Sequence, residues 1–305
     1  MIFTFNSLLE LTQTFNTEQK CIEHLEKLRW NDNVISPYDT NSQVYKCKGN
    51  RYKCKNTNKF FNVKTGTLFE NSKIGLTKWF FAICLITSHK KGISSRQLAE
   101  DIRVTQKTAW FMLHRIRNCY NIDTDQLANE VEIDETFIGG KNKNRHWDKK
   151  IKNSQGRSFK DKIPVLGMLE RNGNLIAKVV DDTKTKTLLP EIIENIMAGA
   201  SVMTDEWISY RPLHKIYDHS YIKHNQGEYV NGRVHTNTIE NFWSILKRGI
   251  VGVYHFATRK HLQKYVNEFV FRYNLKHYNQ QDRFNYFFKN MQNRLRWKDL
   301  VANDI

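Results

Sequence analysis

The chain has 305 residues, of which 40% are apolar and 12% aromatic, so it can build hydrophobic cores and is not disordered throughout. Lys and Arg number 48 against 31 Asp and Glu, and the resulting net charge of +17 predicts a polyanionic partner: DNA, RNA or an anionic membrane. The membrane is the weakest of these, because the longest apolar run, residues 79–87, is shorter than the ~20 residues that span a bilayer.

The N-terminus shows no secretory signal, because it lacks a basic segment followed by an apolar run and a small-residue cleavage site. The five cysteines are scattered along the chain. We therefore expect a cytoplasmic protein whose cysteines are thiols and not disulfides.

Two small modules are predicted at the start of the chain. Residues 1–30 are expected to be a helical segment, since an apolar stripe at helical spacing ends near Trp30. Residues 31–72 are rich in Tyr and Lys and contain Asn, Gly and Thr turns, which indicates a small β module with strands near 43–46 and 59–63.

Residues 73–125 are predicted to form a helix-turn-helix DNA-binding region, with helices at 77–89, 95–101 and 105–119. Ser94 or Ser95 and Thr105 are suitable N-caps. The last two helices are joined by a tight turn and the second is basic, as in helix-turn-helix proteins. An ordinary helical hairpin with a solvated basic face explains the pattern equally well, but the net charge favours DNA binding. The predicted DNA contacts are Lys107, His114, Arg115 and Arg117.

Residues 126–280 are predicted to form an α/β catalytic domain. Strands are expected at 131–138, 163–170, 174–180, 200–204 and 221–224, with helices at 187–198, 206–213 and 238–248. Asn172-Gly173 is a strong signal for a two-residue hairpin between the second and third strands. Three meandering strands followed by alternating helices and strands is the element order of the ribonuclease-H-like fold, with a mixed five-stranded sheet and flanking helices. A basic C-terminal helix is expected over residues 281–305.

Three carboxylates occupy positions that this topology brings together. Asp134 lies within the first strand, Asp205 follows the fourth, and Glu240 opens the last helix of the domain. A carboxylate on a central strand is costly unless positive charge meets it. Mg²⁺ prefers oxygen ligands, and two such ions about 3.5–4 Å apart can promote cleavage of a phosphodiester. The three acids together therefore predict an Mg²⁺ site for phosphoryl transfer.

Each acid also has a structural alternative. Asp134 could pair with a lysine, Asp205 could cap the helix that follows it, and Glu240 could complete a capping box with Asn237. Taken singly, these roles explain the acids as well as a metal does. Taken together with the strand order and the charge, the metal site is favoured.

Lys247 lies two helical turns after Glu240, so both side chains are expected to project from one face about 10 Å apart. There Lys247 would hold a phosphate, with Arg248 as a second candidate. The opposite face, which contains Ile239, Leu246 and Ile250, is predicted to be buried.

The chain resembles bacterial DDE transposases of the insertion-sequence family numbered fifteen ninety-five, with the ISXO-like transposase domain. The resemblance covers about residues 30–280. It is carried by Glu132-Ile133-Asp134-Glu135-Thr136-Phe137-Ile138-Gly139-Gly140-Lys141, Thr204-Asp205-Glu206 and His235-Thr236-Asn237-Thr238-Ile239-Glu240-Asn241-Phe242-Trp243-Ser244-Ile245-Leu246-Lys247-Arg248-Gly249, and it continues through 252–255 and 265–274.

The resemblance implies Mg²⁺ or Mn²⁺, binding to the element's terminal inverted repeats, and DNA strand cleavage followed by transfer to target DNA. Asp134, Asp205 and Glu240 take the positions of the metal-binding triad, and Lys247 takes that of the lysine after it. Asn241 is the alternative third residue, since some relatives carry asparagine there. Glu240 is preferred because a carboxylate is the better Mg²⁺ ligand.

The family also has an N-terminal zinc ribbon, from which this chain departs. Where the two Cys-x-x-Cys pairs belong, the sequence reads Ser36-Pro37-Tyr38-Asp39 and Cys54-Lys55-Asn56-Thr57. Only one of the four cysteines remains at these positions. Structural zinc takes four protein ligands, so we expect no structural zinc. The predicted degenerate ribbon is instead held by aromatic residues: Trp30, Tyr45, Tyr52, Phe60 and Phe61.

The sequence thus predicts an insertion-sequence transposase that acts on double-stranded DNA and forms a homo-oligomer on it. Basic residues of the loop 141–162 and of the C-terminal helices are expected to add sequence-independent phosphate contacts. The further candidate DNA contacts are Lys141, Lys143 and Arg145 in the loop, together with Lys247 and Arg248. Two alternatives stay open. One is a nuclease or resolvase of the same fold that cuts without joining, and the other is a catalytically silent DNA-binding relative.

Overall fold

The structure is a computed structural model that describes residues 3–120, 125–140, 142–152, 158, 161–223, 226 and 230–302. Lys141 and part of the predicted basic loop lie outside the described residues. The chain divides into two units. The helical unit comprises residues 1–121 and 277–305, and the sheet unit comprises residues 122–276. Within the described ranges, no helix is both long and apolar enough to cross a membrane.

The described helices and strands follow in chain order. The helices are α1 (Leu8–Thr14), α2 (Glu18–Trp30), α3 (Leu76–Ser88), α4 (Ser95–Ile102), α5 (Gln106–Arg117), α6 (Thr185–Asn195), α7 (Asn237–Gly249), α8 (Arg259–Asn274), α9 (Gln280–Phe287) and α10 (Trp297–Val301). The strands are β1 (Val44–Cys47), β2 (Arg51–Cys54), β3 (Phe60–Phe61), β4 (Glu130–Ile138), β5 (Ile163–Glu170), β6 (Leu175–Val179), β7 (Ser201–Asp205) and β8 (Asp218–Ile222).

The helical unit has an aromatic core built by its first and last segments. α3 is buried along most of its length because its sequence is largely apolar, and Phe80 on it is fully buried. Phe15, which follows α1, and Phe284, on α9, contact Phe80 edge-on with ring centroids 4.9 and 5.4 Å away. The C-terminal segment is therefore part of this core. It is also broken into α9 and α10, where a single basic helix was predicted.

Helices α4 and α5 form the predicted helical pair. Their N-caps are Ser94 and Thr105, whose hydroxyls accept hydrogen bonds from the backbone N–H groups of Gln97 and Thr108. Arg103 ends α4 in the left-handed region, with a φ of 49°, and so starts the turn between the helices.

Three of the four cations predicted to contact DNA from α5 are not on its surface. His114, Arg115 and Arg117 are 0%, 6% and 1% exposed. The guanidinium of Arg115 donates to the carbonyl oxygens of Glu70 and Leu295 at 2.8 and 3.0 Å. C-terminal residues cover this face of α5, which the helical pattern alone could not reveal. The prediction that these four cations form a solvated basic face of α5 is therefore wrong, because only Lys107 is exposed.

The small β module is a three-stranded antiparallel sheet in the order β1-β2-β3. Trp30, Tyr52 and Phe61 are buried and in mutual contact, with ring centroids 5.3 to 6.1 Å apart. Tyr45 and Phe60 were also predicted to hold the module, but they are 44% and 53% exposed. Both stand opposite Lys53 on β2, the next pleat position after Tyr52, and therefore face away from this cluster.

Cys54 is the cysteine retained at the ribbon positions. It is buried, which raises the pKa of its thiol, but the nearby hydroxyls of Ser36 and Ser42 outweigh this and help to lower that pKa from 9.0 to about 6. Ser36 stands where the first ribbon cysteine belongs, so a hydroxyl occupies the neighbourhood of a lost ligand. That the module binds no zinc stays a prediction.

The sheet unit is built on a mixed five-stranded sheet in the order β6-β5-β4-β7-β8. β4, β5 and β6 are antiparallel neighbours, whereas β4, β7 and β8 run parallel. Helices α7 and α8 pack on one face and α6 on the other, each over its own apolar core. This arrangement is compatible with the ribonuclease-H-like fold predicted from the element order.

Two details of the sheet unit differ from the prediction. The turn from β5 to β6 runs through Arg171 and Asn172, with the N–H of Gly173 donating to Glu170 O at 3.0 Å and Asn172 at a φ of 61°. It is therefore not a two-residue turn on Asn172-Gly173. β8 begins at Asp218, before the predicted residue 221, because its first residues are polar and give no apolar signal.

Candidate active site

Asp134 lies on the central strand of the sheet, on the face that α7 covers. Side chains alternate along β4: Ile133 enters the core beneath α6, so Glu132 and Asp134 project to the opposite face. β4 runs parallel to β7, with Glu132 opposite Met203. Two residues further along this register, Asp134 is level with Asp205, the last residue of β7.

Trp243 ties Asp134 to α7. Its indole N–H donates to Oδ2 of Asp134 at 3.0 Å. The indole lies over Gly167, the residue opposite Asp134 on β5. A Cβ atom at Gly167 would stand only 2.5 Å from the indole ring. The close approach of Trp243 therefore requires glycine at position 167, and the hydrogen bond fixes one carboxylate oxygen of Asp134.

The pKa of Asp134 is raised from 3.8 to about 8. Burial is the largest cause, and the negative charges of Glu135, Asp205 and Glu240 add to it. Acids from β7 and from α7 are thus near enough to Asp134 to repel its carboxylate. Such a carboxyl group is stabilised as an anion when positive charge is brought to it.

Asp205 ends β7 beside a cleft. Its side chain is 9% exposed, and Oδ1 accepts the backbone N–H of Trp207 at 2.9 Å. The helical segment that follows, Ile208–Lys215, has Trp207 as its N-cap, so Asp205 does not cap it as the structural alternative predicted. The contact is an Asx-turn, which fixes the carboxylate at the end of the strand. The cleft has a volume of about 610 Å³, and Arg211 and Lys223 contribute positive charge to its lining.

Glu240 lies in the first turn of α7 and is exposed. The hydroxyl of Thr236, the N-cap residue, donates to Oε1 of Glu240 at 3.0 Å. Because α7 begins at Asn237, this residue is not the N-cap, and the capping box between Asn237 and Glu240 is not formed. The charge of Glu240 helps to raise the pKa of Asp134.

Glu132 supports the site, although it is not among the predicted site residues. It is fully buried. Its carboxylate accepts the backbone N–H groups of Thr238 and Ile239 at 3.0 and 3.1 Å, and the hydroxyl of Thr238 at 2.9 Å. The first N–H groups of a helix have no partner within the helix. Glu132 supplies that partner for α7, and its charge is favourable at a helix N-terminus.

Arg171 completes this arrangement from the β5–β6 turn. Its Nε donates to Glu132 at 2.8 Å, and its guanidinium also donates to the carbonyl oxygens of Arg233 and His235 at 2.7 and 3.0 Å. We call this buried pair the Glu132–Arg171 clamp. It joins β4, the hairpin turn and the start of the helix that carries Glu240. Strand alternation predicts that Glu132 lies on the same face of the sheet as Asp134. It does not predict the partners of Glu132, because they are distant in sequence.

Glu135 faces the opposite side of the sheet. The hydroxyl of Tyr210, which is 1% exposed, donates to its carboxylate. Burial, followed by the charge of Glu135, raises the pKa of Tyr210 well above its usual value. Glu135 is thus anchored beneath the sheet and does not face α7.

The predicted phosphate contacts of the sheet unit differ in their surroundings. Lys247 and Arg248 are exposed on α7, and Lys143 is exposed beyond β4. Partial burial lowers the pKa of Lys247, while the charge of Asp134 opposes this, so Lys247 is within electrostatic reach of Asp134. The guanidinium of Arg145 lies 3.7 Å from the carboxylate of Asp161.

The chemistry of the three acids suits a hard divalent cation. All three offer carboxylate oxygens, and a dication would relieve the repulsion that raises the pKa of Asp134. Among the residues that the structure describes, no three His, Cys, Asp or Glu side chains stand close enough to form a complete metal site. The acids therefore share one electrostatic environment without forming a closed set of ligands.

Two comparisons with known proteins agree with the motifs. Residues 126–274 match the family described as ISXO2-like transposase domain, a range that includes all three acids and Lys247. The chain is also similar to an uncharacterized protein in transposable element ISH50 of Halobacterium salinarum, with 30% identity over 252 residues. That alignment covers 77% of this chain and 84% of the relative. The chain therefore belongs to the family of transposases with the ISXO2-like domain, the insertion-sequence family numbered fifteen ninety-five that its motifs resemble.

Proposed function

We propose that the chain is the DNA transposase of an insertion sequence, which cleaves DNA at the ends of the element in Mg²⁺ or Mn²⁺ and joins those ends to target DNA. One observation carries the proposal: the charges of Asp205 and Glu240, which come from two other elements, help to raise the pKa of Asp134. The parallel register of β4 and β7 and the contact of Trp243 with Asp134 support the same arrangement.

Asp134, Asp205 and Glu240 would hold the metal. A bound divalent cation supplies neutralisation of phosphate charge and activation of the attacking water or hydroxyl. Trp243 orients Asp134, and the Glu132–Arg171 clamp holds the turn from which Glu240 projects. The exposed ammonium of Lys247 would bind a phosphate of the DNA beside the acids.

The pair α4–α5 would bind the element's ends as a helix-turn-helix. In such proteins the N-terminal residues of the second helix contact base edges. Lys107 stands there and is exposed, whereas His114, Arg115 and Arg117 are buried and are not proposed as contacts. Lys143, Arg145 and Arg248 would add sequence-independent phosphate contacts, and a homo-oligomer on DNA is expected.

A strand-transfer assay with the element's own end sequences tests the proposal. Purified protein is incubated with labelled end duplexes and a target plasmid in Mg²⁺, Mn²⁺ or EDTA. Metal-dependent joining supports a transposase. Cutting without joining supports a nuclease of the same fold, and binding without cleavage supports a catalytically silent relative.

A further inference from the structure

A second pocket, of about 530 Å³, opens beside Lys247 in the sheet unit. This volume is within the range of about 300–1,000 Å³ that is usual for small-ligand sites. The pocket is lined by the end of β4 with Gly139-Gly140, by Arg145, by Lys247 and by the segment that follows α7. The roles proposed above leave this space unexplained. We name it the Phe256 pocket, after its most exposed aromatic residue.

The wall contributed by residues 250–257 contains exposed apolar side chains and the exposed imidazole of His255. Phe256 is 69% exposed and Val251 is 67% exposed, whereas Ile250 and Ala257, beside them, are buried. An aromatic ring that remains open to solvent inside a pocket is available to stack on a planar ligand.

The backbone that presents Phe256 is irregular. α7 continues into a π-helical segment, Ile250–Tyr254, of a kind that is often found at functional sites. His255 then has a φ of 63° and a ψ of −42°, and the N–H of Phe256 donates to Tyr254 O at 2.7 Å. This is a γ-turn of the rare, strained form. Such strain persists where the surrounding structure enforces it, and it concentrates at ligand sites.

Tyr254 anchors the strained turn. Its hydroxyl donates to the buried carboxylate of Glu268 on α8, which also pairs with Arg272. The Tyr254 ring packs against Tyr265 with ring centroids 4.8 Å apart. The chain is thus fixed immediately before His255, and Phe256 is directed outward as a consequence.

Two cationic side chains also line the pocket, those of Lys247 and Arg145. Within the described part of the chain, no carboxylate lies within ion-pair distance of the Lys247 ammonium, and Arg145 has only the 3.7 Å contact with Asp161. An exposed aromatic side chain and cations in one pocket are the combination that binds single-stranded nucleic acid, in which the base stacks and the phosphate pairs with the cations.

We propose that the Phe256 pocket binds one unpaired nucleotide of the DNA, with its base against Phe256 and its phosphate at Lys247 and Arg145. This inference rests on the proposed function, because the acids beside the pocket would cleave the same DNA. A nucleotide drawn out of the duplex here would leave the adjoining backbone accessible to the acids.

The experiment compares two end-sequence duplexes of equal length and phosphate number, one fully paired and one with its terminal pair mismatched. Equilibrium affinities are measured in EDTA, so that no cleavage is needed. Wild-type protein should bind the mismatched duplex about five-fold or more tightly, because the fully paired duplex must first unpair its terminal base before that base can stack on Phe256. Phe256→Ala should remove the preference and Phe256→Tyr should retain it.

Ile193→Ala is the matched control, because Ile193 is an exposed apolar residue, 44% exposed, on α6 at the other face of the sheet. It should leave the preference unchanged. Equal affinities in the wild type, or a preference that survives Phe256→Ala, would overturn the inference. The inference would also be overturned if sedimentation showed that Phe256→Ala dissociates a dimer while the preference persists. A second copy of the chain would then be the occupant of the pocket. Failure of strand transfer in Mg²⁺ would instead overturn the proposed function, and it leaves this measurement in EDTA valid.

Discussion

Replacing Glu132 by glutamine removes the charge of the Glu132–Arg171 clamp while keeping its volume. The glutamine amide can accept through one oxygen only, and its NH₂ group faces donors: Arg171 and the backbone N–H groups of Thr238 and Ile239. At least one donor in this buried site then loses its partner. The first turn of α7, which carries Glu240, is held less firmly against β4.

The magnitude follows from these contacts. Breaking a buried ion pair by removing one partner costs about 3–5 kcal/mol. Arg171 keeps its bonds to two carbonyl oxygens and lies 3.6 Å from Glu130, so the lower end applies. We expect Glu132→Gln to lower the free energy of unfolding by about 3 kcal/mol. We also expect it to reduce the cleavage rate more than the affinity for DNA, because Glu240 and not the DNA-binding surface is displaced.

Urea unfolding and single-turnover cleavage of end duplexes measure these two effects. Glu130→Gln is the control, since Glu130 is on the same strand and also lies near Arg171, at 3.6 Å, but its closer partner is Arg233, whose side chain is 82% exposed. Surface pairs contribute about 0–1 kcal/mol. If Glu132→Gln is no less stable than Glu130→Gln and cleaves at the wild-type rate, the clamp has no role in positioning α7.

Three further predictions follow from burial and packing. The folded chain, in which the pKa of Asp134 is about 8, holds a proton that the unfolded chain loses near pH 4, so the stability of the metal-free protein should fall as pH rises between these values. In EDTA at pH 8, Asp134→Asn should therefore raise the free energy of unfolding by roughly 2–4 kcal/mol, which is seen as a higher melting temperature; a lower melting temperature would contradict this. Gly167→Ala should lower stability by about 1–3 kcal/mol in urea unfolding, because its Cβ would stand 2.5 Å from the Trp243 ring; an unchanged free energy of unfolding would contradict that contact. Arg115→Ala should lower the free energy of unfolding by about 2 kcal/mol without weakening DNA binding. Lys107→Ala should weaken DNA binding and reduce the slope of log affinity against log salt concentration by about 0.9. The reverse pattern in salt titrations would contradict the burial of Arg115.

The sheet unit could largely be predicted from local patterns. Alternation gave β4 and β5 almost to the residue, and the 3.6-residue stripe gave α7 with Ile239 and Leu246 buried. Asp134 and Glu240 could be selected only together with Asp205, because each acid alone has a structural alternative, whereas the order of strands and helices brings all three together. Local patterns were sufficient for the prediction where the position of a residue on one face of a strand or helix determines whether it is buried.

Long-range contacts could not be predicted in this way. The helical pattern predicts that Arg115 is a surface cation on α5. It is buried because the C-terminal segment covers it and accepts its hydrogen bond. In the sequence, Glu132 is one of several acids near Asp134. Its partners lie in the turn after β5 and at the start of α7, which are distant in the chain. Gly167 shows its importance only where Trp243 packs on it. Each depends on a contact between segments that no short sequence window contains.

Cleavage and binding of an end duplex by Asp134→Asn test the central claim most directly. Cleavage in Mg²⁺ and in Mn²⁺ is measured beside the equilibrium affinity in EDTA, with wild type in parallel. Because Asp134 is proposed to hold the metal and other surfaces to bind DNA, the variant should lose cleavage in both metals and keep an affinity near that of the wild type. Full cleavage by the variant would contradict the assignment of the site. A large loss of folding stability in the variant would instead indicate that Asp134 is structural.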